Sequence, residues 1–337
     1  MEVTSIEELQ SLCFETAPPA DPAWLQFSEE MARRGPAPQF SSPLERQPVY
    51  AEECRQLFGK MTAPEARDHW LVQGIKQSRL TVPSSVDGFQ IPILQLDLSE
   101  FQNQEPETVI IYYHGGGLAV GEADSEELTC RRMLKSFSRP ARLYSVGYRL
   151  MPKYPAETCV SDSLDAFLAL SSKSGKNIIV GSSSGGQLAA TVCQRVPNDA
   201  VYGLLLRCPV TSDPTDDKRY IPERFRRFHT SRAPSFVSTI FQYLNRKVPR
   251  DGLETLPLEA SRQELVGHPR TWIQLCTLDT LYSDGLCYGM ALVDAGVKLR
   301  LDVQKGWPHT FWLKAPELPF ALEAENSMLE GLHWLNE

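Results

Sequence analysis

The sequence predicts an α/β fold in which helices flank both faces of a mostly parallel sheet. From residue 108 onwards, apolar runs of strand length alternate with amphipathic segments of helix length, an order typical of parallel sheets. Runs such as VIIYY (109–113) and GLLLRC (203–208) are apolar at successive positions, as expected for strands buried on both faces. With 337 residues, of which 42% are hydrophobic, the chain can bury a large core.

The alternation assigns the elements in chain order. The first hundred residues are predicted to be mostly irregular, with a helix at 22–34 and two antiparallel strands between 79 and 98. The sheet continues through predicted strands at 108–113, 142–147, 177–181, 202–209, 271–277 and 298–304. Helices are predicted between and after these strands at 124–137, 156–171, 186–196, 283–295 and 317–335.

The alternation stops between residues 211 and 262, which are polar and rich in turn residues. We therefore predict a core formed by 51–210 and 263–337, with 211–262 as a cap insertion that lies over the sheet. Residues 1–50, which prolines punctuate, are predicted to be an N-terminal cap segment. Within the insertion, RYIPERFRRFH (219–229) predicts an amphipathic helix with a solvated basic face. The alternative is that one of its arginines faces the pocket and selects an acidic substrate.

Composition excludes several classes of partner. A net charge of −8 without a basic stripe argues against nucleic-acid binding. No run approaches the roughly 18 apolar residues that a membrane span requires, so stable membrane insertion is not expected. The acidic start lacks the pattern of a secretory signal, and the eight cysteines are scattered without a C-x-x-C pair. We expect a cytoplasmic protein with reduced cysteines, no metal and no cofactor. The oligomeric state is left open, with a homodimer as one candidate.

The stretch VGSSSGG (180–186) contains the candidate nucleophile. It follows an apolar strand and opens an apolar helix, as a nucleophile elbow does and a Gly/Ser linker does not. The turn is tight enough that its flanking residues, Gly181 and Gly185, must lack a Cβ atom. The central Ser183 is thereby raised above the sheet, beside the free N–H groups of the helix N-terminus.

A serine hydroxyl needs a base, and the base needs an acid that orients it. In this kind of fold the acid and then the histidine follow the serine along the chain. His309 lies in the loop after strand 298–304 and is the predicted base, whereas His333 falls within the terminal helix. Asp279 directly follows strand 271–277 and is the predicted acid, with Asp284 as the competing carboxylate.

The tetrahedral intermediate needs hydrogen-bond donors for its oxyanion. Residues 114–117 read HGGG and directly follow a predicted strand. Gly115 and Gly116 are the candidate donors, joined by the backbone N–H of Ser184. His114 and Gly117 are expected to support the loop. A phosphate-binding loop is the alternative, but neither glycine cluster carries a dinucleotide-binding or P-loop fingerprint.

The chain resembles the hormone-sensitive-lipase branch of the α/β-hydrolases, which includes carboxylesterases. The matching motifs are HGGGLAVGEADS (114–125), YRLMPKYPA (148–156), GSSSGG (181–186), LDTLYSDG (278–285) and DAGVKLRLDVQKGWPHTF (294–311). The resemblance implies an eight-stranded sheet with a helical cap built from the N-terminal segment and 211–262. It also implies a Ser183–Asp279–His309 triad, with Gly115, Gly116 and Ser184 as the oxyanion hole.

Three positions depart from the pattern of this branch. Ser182 and Ser184 replace the Asp and Ala of G-D-S-A-G, so an acidic residue behind the elbow is missing. The motif D-P-L-x-D-E is replaced by D-T-L-Y-S-D at 279–284, and Lys153 stands where Glu is common. None of these changes removes a predicted catalytic group.

The predicted function is hydrolysis of a carboxylic ester of a small molecule through an acyl-enzyme. The substrate is expected to be a short-chain acyl ester, an acetyl ester or a lactone, and a secondary metabolite is one candidate substrate. The same triad serves an acyltransferase or a cyclase of natural-product biosynthesis. A non-catalytic small-molecule receptor on the same fold is a further alternative, which the presence of His309 disfavours.

Overall fold

The computed structural model describes residues 1–35, 38–213, 215, 217–236 and 248–337. In this part of the chain the strands form one nine-stranded sheet in the order β1-β9-β8-β7-β6-β4-β5-β3-β2. The strands are Glu2–Val3 (β1), Ile75–Pro83 (β2), Gln90–Leu98 (β3), Thr108–Tyr113 (β4), Ala141–Val146 (β5), Lys176–Ser182 (β6), Gly203–Arg207 (β7), Arg270–Cys276 (β8) and Leu299–Gln304 (β9).

The centre of the sheet is parallel, as the sequence predicts. Strands β4 to β9 pair in parallel, whereas β3 runs antiparallel to both β2 and β5. The expected eight strands are present, and the ninth is β1, which pairs antiparallel with β9. A strand of two residues is too short to show the alternation of polar and apolar residues that identifies strands, so β1 was not predicted.

The described helices are Ile6–Gln10 (α1), Pro22–Arg33 (α2), Pro43–Met61 (α3), Glu127–Lys135 (α4), Ala156–Leu170 (α5), Ser184–Arg195 (α6), Arg262–Leu265 (α7), Tyr282–Asp294 (α8), Phe311–Lys314 (α9) and Pro319–Asn336 (α10). The predicted helices thus correspond to α2, α4, α5, α6, α8 and α10. None of the helices in the described ranges is long and apolar enough to cross a membrane.

Helix α3 contradicts the prediction that the first hundred residues are mostly irregular, because it occupies Pro43–Met61. Its prolines are compatible with a helix because Pro43 occupies the first turn, where the missing N–H costs no hydrogen bond. Ser42 caps the helix by accepting a hydrogen bond from the Glu45 N–H, and Pro48 is accommodated in the interior. The helix runs without a break through residues 50 and 51, where the sequence placed the start of the core.

The two faces of the sheet carry separate hydrophobic clusters. Alternate residues of β4 point to opposite sides, so Val109 and Ile111 join the cluster beneath α5, α6 and α8. Ile110 and Tyr112 join the cluster beneath α4 and α10. All of these side chains are buried, and each contributes about 1.5–3 kcal/mol of hydrophobic stabilisation. Strand β4 is therefore apolar at successive positions, which is the pattern that the sequence showed.

The insertion contains little regular structure in its described residues. Positions 214, 216 and 237–247 lie outside them, and the rest of 211–262 contains short 3-10 turns and no strand. The helix predicted over 219–229 is wrong, because only Glu223–Phe225 forms a 3-10 turn, directly after Pro222. Phe225 is buried, whereas Arg224 is exposed and pairs with Asp294 of α8 at 3.0 Å.

Candidate active site

The predicted elbow lies where β6 ends and α6 begins. Ser183 has φ 56° and ψ −119°, a left-handed conformation that L-residues rarely adopt. A Cβ atom on Gly181 would lie 2.1 Å from the Gly185 carbonyl oxygen, and one on Gly185 would lie 2.0 Å from the Tyr113 carbonyl oxygen. The turn therefore requires glycine on both sides of the serine.

The structure brings Ser183, His309 and Asp279 into one hydrogen-bonded chain. The Nε2 atom of His309 lies 2.9 Å from the Ser183 hydroxyl oxygen, and its Nδ1 atom lies 2.5 Å from Oδ2 of Asp279. The second carboxylate oxygen of Asp279 accepts a hydrogen bond from the Leu281 N–H at 2.9 Å. All three side chains are buried. The imidazole therefore contacts the hydroxyl through one nitrogen and is oriented by the carboxylate through the other.

The electrostatics of the site favour a charged imidazole. Burial lowers the pKa of His309, but the charge and hydrogen bond of Asp279 outweigh this effect and raise the pKa to about 9. Asp279 thus favours the protonated form of the His309 ring.

The two competing residues lie elsewhere. The carboxylate of Asp284 accepts hydrogen bonds from the backbone N–H groups of Thr211 and Ser212, both at 2.9 Å. Its other oxygen faces His229 at 3.1 Å, so Asp284 anchors the start of the insertion to α8. His333 is exposed on α10, where its ring lies 6.1 Å from that of Phe137.

The glycine loop after β4 faces the elbow, but Gly115 does not fit the role predicted for it. Its N–H already donates to Oε1 of Glu126 at 2.6 Å and is therefore unavailable to an oxyanion. Gly116 and Gly117 have φ 118° and 65° and are only half-buried. Across the described ranges, their N–H groups and that of Ser184 make no hydrogen bond, so these three donors are free.

His114 packs against the start of this loop. Its Nδ1 donates to the Gly115 carbonyl oxygen at 2.7 Å, and its ring stacks on Tyr148 with centroids 4.3 Å apart. The Tyr148 hydroxyl donates to the carbonyl oxygen of His114 at 2.7 Å. Burial lowers the pKa of His114 to about 4, so the ring is neutral at physiological pH and packs rather than transferring protons.

Comparison with known proteins identifies the family. Residues 110–313 match the sequence model of the alpha/beta hydrolase fold. The chain belongs to this family. The resemblance to its hormone-sensitive-lipase branch is confirmed, and the nine-stranded mixed sheet is the sheet of an α/β-hydrolase.

The relatives of this α/β-hydrolase include named esterases. A versiconal hemiacetal acetate esterase of Dothistroma septosporum is 25% identical over 74% of this chain and 79% of its own length. An Aspergillus terreus protein named FAD-linked oxidoreductase pytB is 30% identical over 68% of this chain, which spans only 29% of that protein. The crystal structure of vibralactone cyclase aligns with a TM-score of 0.77 at 20% identity, over 96% of this chain and 97% of its own.

Two side chains near the α/β-hydrolase site were not predicted. Glu126, which precedes α4, reaches the glycine loop across 11 positions of sequence. Carboxylates are common at the starts of helices, so Glu126 did not stand out in the sequence as a partner of the glycine loop. Cys208, with φ 45°, follows β7. Burial raises the pKa of its thiol, but contacts with Cys276 and His309 outweigh burial and lower it to about 7.

Cys208, Asp279 and His309 are also the one group of potential metal ligands found among the described residues, with ligand atoms within 4.8 Å of one another. Both ring nitrogens of His309 are already engaged, by Ser183 and Asp279. A metal ion could therefore bind here only by displacing one of these partners from the imidazole.

Proposed function

We propose that this α/β-hydrolase is a serine esterase that hydrolyses a carboxylic ester of a small molecule. The observation that carries the proposal is the continuous chain from the Ser183 hydroxyl through His309 to Asp279, at 2.9 and 2.5 Å. The esterase names of several relatives support the same reaction class. A receptor would need neither the strained serine nor its hydrogen-bonded imidazole.

The geometry supports a two-step reaction. The Ser183 oxygen attacks the acyl carbon while Nε2 of His309 accepts its proton, and Asp279 stabilises the resulting imidazolium. The negative charge on the former carbonyl oxygen is held by the N–H groups of Gly116, Gly117 and Ser184. His309 then protonates the departing alkoxide, which breaks the ester bond and leaves the acyl group on Ser183. Water, deprotonated by His309, attacks the acyl-enzyme and restores the free serine.

We propose that the substrate is an ester with a short acyl group, such as an acetate, or a lactone. Ser183 is only 4% exposed and His309 only 2%, so the ester must enter an enclosed space rather than lie at an oil surface. The relative named versiconal hemiacetal acetate esterase supports an acetate as the substrate. Residues 1–50 and 211–262 are the proposed cap over this space.

Acyl transfer and cyclisation use the same acyl-enzyme and differ only in the group that attacks it. The similarity to vibralactone cyclase concerns the fold alone at 20% identity. Product analysis separates these reactions, because hydrolysis consumes one water for each acid released, whereas transfer gives a new ester.

The proposal is tested by measuring the turnover of p-nitrophenyl acetate, butyrate and decanoate. We expect the acetate to be preferred and Ser183→Ala to lower kcat by on the order of 10⁴-fold or more. Ser182→Ala is the matched control, because the buried Ser182 hydroxyl has no hydrogen-bond partner in the described structure and should tolerate removal. Equal losses at the two serines, or a wild type with no turnover of any ester, would contradict the proposed function.

A further inference from the structure

The side chain of Glu126 is directed at the glycine loop rather than at its own helix. Glu126 occupies the N-cap position of α4, yet it makes no side-chain capping bond there. Its Oε1 atom instead accepts from the Gly115 N–H at 2.6 Å, and its Oε2 atom accepts from the Tyr112 hydroxyl. The side chain is only 4% exposed. A buried carboxylate is therefore fixed at both oxygens, between the end of β4 and the loop that follows it.

Gly115 is held between this carboxylate and the elbow. A Cβ atom on Gly115 would lie 3.1 Å from Oε1 of Glu126, 3.2 Å from the Ser182 carbonyl oxygen and 3.3 Å from Cβ of Ser183. The distance between the glycine loop and the nucleophile is thus set by Glu126 on one side and the serine turn on the other.

A second contact fixes the far end of the loop. The Leu118 N–H donates to the Ser184 hydroxyl at 3.2 Å. Between the two contacts, Gly116, Gly117 and Leu118 all have positive φ, at 118°, 65° and 61°. Glycine adopts a positive φ without strain, but leucine does so only where its surroundings impose it. The free N–H groups of Gly116 and Gly117 therefore lie on a segment that is tied at both ends, with the strained residue Leu118 at the second tie.

Burial of the Glu126 carboxylate disfavours its charged form, and specific contacts are needed to offset this cost. Burial raises the pKa of Glu126, while the hydrogen bonds of Tyr112 and Gly115 and the nearby charge of Arg207 oppose this effect. Ser182, where the branch usually has an acid, has a buried hydroxyl without a hydrogen-bond partner in the described residues. In this chain a carboxylate reaches the loop from α4 instead.

We propose that Glu126 is a positioning residue of ester hydrolysis, which holds Gly115 so that the Gly116 and Gly117 N–H groups meet the oxyanion. The inference rests on the proposed function and adds a residue to it. Glu126 contacts the loop and not the substrate, so its loss displaces donors that act mainly in the transition state. The expected consequence is a lower kcat with little change in KM.

The test compares kcat and KM for p-nitrophenyl acetate in the wild type, Glu126→Gln and Glu126→Ala. We expect kcat to fall by about 10-fold to 100-fold in Glu126→Ala, since a misplaced donor costs about as much as a missing one. Glu126→Gln keeps an oxygen acceptor for the Gly115 N–H and should lie between the other two proteins. KM should stay within about threefold, since ground-state binding does not use the displaced donors.

Glu127→Gln is the matched control for these variants. Glu127 is the next residue and is also buried, but it pairs with Arg131 at 2.6 Å and has no bond to the glycine loop. Its substitution should lower the melting temperature without lowering kcat. Tyr112→Phe removes the second partner of Glu126 and should lower kcat in the wild type but cause no further loss in Glu126→Ala.

The outcomes separate this inference from the proposed function. A wild type that turns over acetate, together with folded Glu126 variants whose kcat matches that of Glu127→Gln, contradicts the role of Glu126 alone. A wild type without esterase activity contradicts the proposed function and this inference with it. If Glu126→Ala does not fold, the near-isosteric Glu126→Gln and Tyr112→Phe decide the result, because unchanged kcat in both overturns the inference.

Discussion

At the scale of single residues, the site depends on the contrast between two buried aspartates. Asp279 and Asp284 lie five positions apart, and both follow β8. Asp279 contacts the ring of His309, whereas Asp284 binds the backbone of the insertion. The sequence predicts Asp279 as the acid, because a residue directly after a parallel strand lies at the same sheet edge as the elbow.

The contact between Asp279 and His309 predicts how turnover depends on pH. His309 accepts a proton only when it is neutral, and its pKa is raised to about 9, so kcat/KM should rise as pH increases through that range. Asp279→Asn removes the charge that raises the pKa of His309. The inflection should then move to lower pH, and the plateau should fall by on the order of 10⁴-fold.

The control for this prediction is Asp284→Asn, which should lower stability and leave the inflection where it is in the wild type. An inflection that moves in Asp284→Asn but not in Asp279→Asn would reassign the acid. An activity that falls through the same alkaline range in the wild type would contradict the role of His309 as a base.

At the scale of elements, the elbow leaves no room for a side chain on its glycines. Gly185 lies against the backbone of β4, and no side-chain movement can make room for a Cβ atom there. Gly59 in α3 gives the opposite case, because nothing lies within 4 Å of the position that its Cβ would occupy.

These two glycines predict opposite effects of the same substitution. Gly185→Ala should lower the free energy of unfolding by several kcal/mol, or prevent folding, because the new atom overlaps backbone. Gly59→Ala should raise the free energy of unfolding by about 0.5–1 kcal/mol through helix propensity. Urea denaturation followed by circular dichroism measures both. A destabilised Gly59→Ala, or a Gly185→Ala as stable as the wild type, would contradict the packing described for these elements.

At this scale, the sequence predicts elements that a local pattern specifies and misses contacts between residues far apart in the chain. The central strands and their helices could be predicted because burial on both faces imprints a local pattern. Helix α3 was missed because its prolines are common in loops, and only the Ser42 cap and the first-turn position of Pro43 make them compatible with a helix. The Glu126–Gly115 contact has no local signature, since it joins the residue before a helix to a loop through tertiary packing alone.

At the scale of the whole molecule, the proposed triad is assembled from three residues that are distant in sequence but follow strands of one sheet. Ser183 follows β6, Asp279 follows β8 and His309 follows β9, so all three lie at the carboxyl ends of parallel strands. The nucleophile and base are 126 positions apart, yet their side chains hydrogen-bond. The parallel sheet therefore brings these groups to one edge. The order of serine, aspartate and histidine along the chain follows from the order of the strands that they follow.

The central claim is that Ser183 is a nucleophile activated by His309, and covalent labelling tests it most directly. The protein is treated with a fluorophosphonate, and the adduct is located by mass spectrometry of its peptides. We predict one adduct on Ser183, lost in Ser183→Ala and slowed by on the order of 10³-fold or more in His309→Ala. Folded wild-type protein that carries no adduct, or carries it on another residue, would contradict the account.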